Sequence, residues 1–258
     1  MLEVRNRVSQ ISDDGFKDRR FYLLDASVVA PYYLAACARN SRVPARIRMI
    51  VDAVRTRYLD CLLYIPNFCI AETFGVLAKY AYCWYDDRVR RSLKGKLLDK
   101  RVYDNLCRQF HEDIHNGNVF LQYELGRYHV LAYDLIAPVD YHYQVFRKRE
   151  YRKTPMGTFD LLIISMGIIL SKVHKRENTA ILTADRRLAL IAQRACRLRK
   201  ETARKLRILR VAESLGLEFS PEIYPRVINL AGASNAQLKQ EFGMWPLPQS
   251  EVPSIYRK

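Results

Sequence analysis

Four carboxylates stand at the edges of the most apolar segments of the chain: Asp25, Glu72, Asp160 and Asp185. Asp25 follows the run Arg20-Phe-Tyr-Leu-Leu, and Asp185 follows Thr179-Ala-Ile-Leu-Thr-Ala. A charge directly after such a run is costly if it stays buried and unpaired. It makes sense where the carboxyl end of a parallel strand opens on a crevice, the place where open α/β sheets hold their ligands. Carboxylates gathered in one crevice repel each other unless cations stand between them. Hard oxygen donors of this kind suit Mg²⁺ or Mn²⁺, and the chemistry such ions bring is metal-assisted hydrolysis.

Each acid also has a plainer reading. Asp25 could cap the next helix, and Asp160 could be an ordinary acid in a helix's first turn. Asp185 could pair with Arg186 or Arg187. Glu72 is set among Cys69, Ile70, Ala71, Phe74, Val76 and Leu77, so it reads as an acid among core residues, with an ion pair to an arginine as its plain explanation. Position joins the four: one parallel sheet would gather them all at a single rim.

A second motif offers different chemistry. His111-Glu112-Asp113-Ile114-His115 fits His-Glu-x-x-His, which on a helix presents two zinc ligands one turn apart with a glutamate as general base. Asn116-Gly117-Asn118 follows at once and places the motif on a helix's last turn. Asn118 stands where the extended metalloprotease pattern needs Gly, and Leu121 where it needs the third His. A zinc metalloprotease using His111, Glu112 and His115 is therefore the weaker alternative. His142 and His174 have no partner pattern and read as surface histidines.

The elements that must position these groups follow from patterning. Strands are expected over 20–25, 62–66, 179–184 and 227–230. Pro31 is expected to open a helix over 32–38, and a basic amphipathic helix over 45–59 carries Ile47, Ile50, Val51 and Val54 on one stripe. Asn67 caps a helix over 68–82, and Thr158 caps a buried helix with Asp160 in its first turn. Further helices are expected over 186–199 and 201–215. Strands alternating with helices argue for an α/β fold with a central parallel sheet.

The 258 residues include 43 Lys and Arg against 27 Asp and Glu, a formal net charge of +16, which points to an anionic partner such as nucleic acid. Residues 171–210 alone hold 13 cationic and 3 acidic side chains. A second patch, Tyr141-His-Tyr-Gln-Val-Phe-Arg147-Lys148-Arg149-Glu-Tyr-Arg152-Lys, mixes cations with aromatics, which hold phosphates and stack unpaired bases. Six cysteines without a Cys-x-x-Cys pair read as reduced packing residues of a cytoplasmic protein. No apolar signal core follows Met1, and the longest apolar run, Leu161 to Leu170, is too short to span a membrane.

Four segments, in order, resemble the successive motifs of PIN-domain nucleases, the family that includes VapC-type toxins: Leu24-Asp25-Ala26-Ser27-Val28, Ile65-Pro-Asn-Phe-Cys-Ile-Ala-Glu72, Phe159-Asp160-Leu-Leu-Ile-Ile-Ser165 and Ile181-Leu-Thr183-Ala-Asp185-Arg-Arg-Leu188. The resemblance implies a Rossmann-like PIN domain over 20–232 with a mostly helical insertion over about 86–150 and a tail over 233–258. It implies an endoribonuclease that holds Mg²⁺ or Mn²⁺ on Asp25, Glu72, Asp160 and Asp185, supported by the polar side chains of Ser27 and Thr183. Arg147, Lys148, Arg149, Arg152, Arg186 and Arg187 are the expected RNA contacts. An antitoxin partner and a homodimer are narrower implications, and the long gap between Glu72 and Asp160 sets the chain apart from compact toxins. A PIN-like protein that binds RNA without cutting it is the other alternative. A haloacid-dehalogenase-like phosphatase would need a second Asp where Ser27 stands. Neither Gly-x-Gly-x-x-Gly nor a Gly-Lys-Ser/Thr phosphate loop is present.

Overall fold

The computed structural model describes residues 19–34, 42–83, 98–117, 119–146 and 155–248. Among them the chain runs β1 (Arg20–Leu24), α1 (Ala26–Leu34), α2 (Arg42–Arg55), β2 (Cys61–Pro66), α3 (Asn67–Tyr82), α4 (Lys100–His115), β3 (Phe120–Tyr123) and α5 (Arg127–Ala132). It continues with α6 (Ala137–Phe146), α7 (Thr158–His174), β4 (Thr179–Thr183), α8 (Arg186–Ala195), α9 (Lys200–Lys205), α10 (Ile208–Ser214), β5 (Arg226–Asn229) and α11 (Asn235–Phe242). The five strands form one sheet in the order β3-β2-β1-β4-β5, and every pairing is parallel. The expected α/β class, Rossmann-like with a central parallel sheet flanked by helices, is the one observed.

The two central strands are apolar on both faces because both faces are covered. Phe21 to Leu24 and Thr179 to Thr183 are all buried, as parallel sheets under helical layers require. Strand order reverses between β1 and β4. The chain leaves β1 toward β2 on one side, and after β4 it continues to β5 on the other. Such a reversal parts the connecting segments and opens a crevice at the carboxyl ends of the two strands. Asp25 follows β1 and Asp185 follows β4, so the reversal brings these two acids together.

Several elements differ from expectation. The first helix begins at Ala26, directly after Asp25, and encloses Pro31 instead of starting there. The 201–215 helix breaks in two at Arg207, whose φ of 63° is left-handed. The 86–150 segment, expected to be mostly helical, also supplies β3, the edge strand beside β2. Part of the tail joins the body: Leu238, Phe242 and Leu247 are buried, and Glu241 binds Arg226 at 2.6 Å and accepts the Tyr22 hydroxyl proton at 2.9 Å. No helix among the described residues is long and apolar enough to cross a membrane.

Helix α7, which carries Asp160, lies close on β4 because position 167 is glycine. A Cβ there would stand 2.8 Å from Pro225 Cγ and 2.9 Å from Ile181 Cδ1. Alanine is worth roughly 1 kcal/mol more than glycine in a helix, but here it overpacks the sheet. Gly167→Ala is expected to lower the urea midpoint, with a net cost of about 1–3 kcal/mol. Hydrogen bonds and ion pairs from Arg226, Tyr22 and Arg20 hold the Glu241 carboxyl below its ordinary value of 4.5 despite its burial. A depressed folded-state pKa contributes stability that is full above the unfolded value and lost as pH falls through the folded one. Glu241→Gln should therefore cost about 1–3 kcal/mol at pH 7, with the gap to wild type narrowing in urea titrations as pH falls below the ordinary glutamate range.

Candidate active site

The end of β1 is fastened to the end of β4 through one carboxylate. The backbone ladder carries on into Asp25, whose N–H donates to Leu182 O at 3.1 Å. Its side chain is buried, 8% exposed, and Oδ2 accepts from two hydroxyls. One is Thr183 Oγ1 at 2.7 Å. The other is Ser27 Oγ. Each hydroxyl then accepts from the turn that leaves β4: Ala184 N–H donates to Ser27 Oγ and Asp185 N–H to Thr183 Oγ1, both at 2.9 Å. Ser27 and Thr183, expected as supporting polar groups, thus orient Asp25 and shape the turn that carries Asp185.

The other acids arrive on helix starts. Asp185 caps α8, its Oδ1 accepting from Arg187 N at 2.6 Å and Leu188 N at 3.3 Å. Asp160 lies in the first turn of α7, where Oδ2 accepts from Gly157 N at 3.1 Å. Gly157, not Thr158, is the N-cap residue, so the side chain that satisfies this helix start is Asp160 itself. Glu72 sits in the second turn of α3 and is exposed. It is not an acid among core residues: its apolar neighbours Cys69 and Leu77 are buried on another side of the helix. A buried ion pair is accordingly no explanation for Glu72.

The acids feel one another. Burial raises the Asp25 pKa above the ordinary aspartate value, against the lowering effect of the two hydroxyls, and the charge of Asp185 raises it further. Burial also raises Asp160, with the charges of Asp185 and Asp25 adding to it and Gly157 N–H and Arg187 opposing. Glu72 is raised by burial and then by Asp25 and Asp160. Every one of the four thus takes part in like-charge repulsion with at least one of the others. The Cys69 thiol, buried beneath them, is pushed up by burial and then by Asp25.

Four carboxylates drawn into mutual repulsion are a hard, oxygen-only donor set, the kind that fits Mg²⁺ or Mn²⁺ better than Zn²⁺. Among the described residues no three His, Cys, Asp or Glu side chains stand close enough together to hold a metal ion as they are placed. The His-Glu-x-x-His motif does lie on the last turn of α4, with His111, Glu112 and His115 exposed and the two imidazoles 6.2 Å apart. The intervening Asp113 is engaged elsewhere, accepting from Arg55 Nη2 and Tyr33 Oη at 2.8 Å each. His174 is not a surface histidine: it is half-buried and stacks on Phe21 with centroids 3.7 Å apart. His142 is half-buried and lies edge-on to Tyr143.

Of the expected RNA contacts, Arg186 is exposed and Arg187 half-buried at the start of α8, beside Asp185. Arg147, Lys148, Arg149 and Arg152 lie outside the described residues. Beyond α8 the surface stays basic, with Arg197, Arg199, Lys200, Arg204, Lys205, Arg207 and Arg210 all exposed. Sequence reasoning missed one feature at the rim. Phe159, next to Asp160, is 56% exposed and stacks on Phe68. Its place in the first turn of an otherwise buried helix was the available signal.

The chain matches no protein-family model, and a search of curated proteins finds no similar sequence. Two solution measurements follow from the electrostatics. Replacing a desolvated, repelled charge removes a cost to the folded state, so Asp25→Asn should raise the urea midpoint at pH 8, not lower it. Millimolar Mn²⁺ should raise the melting temperature of the wild type by about 5 °C and that of Asp25→Asn by much less. An equal shift in both would remove Asp25 from the ligand set.

Proposed function

We propose that the protein is a metal-dependent endoribonuclease of PIN-domain type, which hydrolyses phosphodiester bonds at the carboxylate site. The observation that carries this reading is the joining of Asp25 to the Asp185 turn at the switch point between β1 and β4 through Thr183 and Ser27, with Asp160 within electrostatic reach of both acids and Glu72 within reach of Asp25 and Asp160. A protein that only bound RNA would gain nothing from gathering negative charge where a phosphate must approach. The exposed basic surface along α8 to α10 supports an anionic, polymeric substrate.

The roles divide by restraint. Asp25, held by two hydroxyls, and Asp185, held by two backbone amides, are the fixed ligands. Asp160, tied through one oxygen, and exposed Glu72 complete the donor set with more freedom to adjust. Bound there, Mg²⁺ or Mn²⁺ would supply Lewis-acid activation of water and neutralise charge on the phosphate. In the net reaction water's oxygen joins phosphorus, the P–O bond to the leaving nucleoside breaks, and that oxygen receives a proton. Arg186 and Arg187, at the same rim, are placed to hold the flanking phosphates.

The narrower reading, the toxin of a toxin–antitoxin pair that acts as a homodimer in the cytoplasm, rests on the motif resemblance. The free thiols of Cys61, Cys69, Cys83, Cys107 and Cys196 accord with a reducing compartment. The deciding assay is cleavage of a labelled single-stranded RNA with Mg²⁺, Mn²⁺, Zn²⁺ or a chelator. Activity is expected with Mg²⁺ or Mn²⁺, abolished by chelation, and lowered roughly a hundredfold or more in Asp25→Asn and Asp160→Asn while both remain folded. Activity with Zn²⁺ alone, surviving Asp160→Ala and lost in Glu112→Ala, would transfer the chemistry to the histidine motif.

A further inference from the structure

We infer that Phe159, backed by Phe68, is a stacking platform for an unpaired base of single-stranded RNA next to the cleaved bond. This inference rests on the nuclease reading and adds to it a substrate form and a residue that sets it. Phe159 is 56% exposed, although it belongs to the first turn of α7, a helix buried along most of its length from Leu161 onward. Its ring lies nearly parallel to that of Phe68, with centroids 5.2 Å apart and planes 13° apart. The aromatic pair therefore joins the opening turns of α3 and α7.

Those two turns carry half of the carboxylate site. Phe68 and Glu72 are four residues apart on α3 and share one side of the helix. Phe159 is adjacent to Asp160. An aromatic surface is thus built into the same two turns that supply two of the four acids. Packing alone does not account for it, since a core role would cover the ring. Phe68 holds one side of Phe159 and fixes its orientation, so a base could stack without first ordering a mobile side chain.

The occupant follows from the surroundings. The chain carries +16 net charge, and the start of α8 presents exposed Arg186 directly after Asp185. A cation next to Asp185 and a stacking face next to Asp160 fit a backbone that crosses the carboxylates with one base turned onto Phe159. Stacking needs a base that is out of a duplex, which makes single-stranded or looped RNA the favoured form over paired RNA. Base–aromatic stacking is worth a 5- to 150-fold change in affinity per base, roughly.

The test uses the full chain in the Asp25→Asn background, so that RNA stays intact during titration. Binding of a single-stranded oligouridine is compared with that of an abasic oligomer of equal charge. Phe159→Ala is expected to weaken oligouridine binding about tenfold and to leave abasic binding unchanged. Phe159→Trp is expected to retain the affinity, and oligouridine but not the abasic strand should quench its indole emission beyond any change in the parent, which carries Trp84 and Trp245. This readout stays available if Phe159→Ala proves unstable. Equal oligouridine affinities for Phe159→Ala and its parent, or an indole at 159 unmoved by bound RNA, would overturn the platform while Asp25-dependent cleavage by the wild type left the nuclease reading intact. Absence of both RNA binding and cleavage in the wild type would overturn both.

Discussion

Asp25 is the point at which fold and site are the same thing. Its backbone extends the β1–β4 pairing by one residue, and its side chain gathers the hydroxyls of Ser27 and Thr183. Those hydroxyls also accept the N–H groups of Ala184 and Asp185. The turn out of β4 is therefore shaped by the acid that ends β1. The geometry is demanding because it is buried: each polar group in it needs a partner, and each partner is another member of the set. Substituting Ser27 or Thr183 with an apolar residue would leave both Asp25 and a backbone amide short of a partner. The relay explains how the sheet holds a carboxylate at the carboxyl end of its two central strands.

Asp160 and Glu72 depend on this anchor through distance and charge, without a direct bond. Asp160 is fixed along its own helix by the Gly157 amide, and the helix is fixed against β4 by the close approach at Gly167. Glu72 follows from the direct step from β2 into α3, where Pro66 ends the strand and Asn67 begins the helix. Each acid is thus placed by a local rule of helix starts or strand ends. The repulsion among them is the collective result that no single local rule explains.

That division accounts for what the sequence disclosed. The β1 and β4 runs were legible because central parallel strands are apolar on both sides, and their terminal acids stood out against them. Strand β3 was not, because Phe-Leu-Gln-Tyr is a short edge strand with Phe120 alone buried, too brief to carry a period. Glu72 was rightly singled out for the wrong physical reason. Residues adjacent in sequence are spread about 100° apart around a helix, so apolar neighbours do not make an acid buried. The break at Arg207 and the α1 start at Ala26 escaped because backbone hydrogen bonding decides them: Asp25 O already accepts from Val28 N at 2.9 Å. Phe159 was passed over because an aromatic beside an apolar run reads as core until its exposure is known.

The arrangement has an energetic logic that favours a catalytic over a structural meaning. A fold under selection for stability alone would place neutral groups at the β1–β4 reversal, since desolvation raises the pKa of Asp25 and the charge of Asp185 raises it again. Arginine could have neutralised the cluster, and the chain has many. Yet among the described residues Arg187 opposes the shift of Asp160 without reversing it. Structural carboxylates in this protein look different: Glu241 and Asp113 are each bound by an arginine and a tyrosine hydroxyl, and the Glu241 pKa is lowered. Among the described residues, then, Glu241 has its charge satisfied by cationic partners, whereas burial and neighbouring acids raise the pKa values of Asp25, Glu72 and Asp160 at the crevice. Strain of that kind persists where the missing counter-charge comes from outside the chain, and on the nuclease reading proposed above a divalent ion and a polyanionic substrate would supply it.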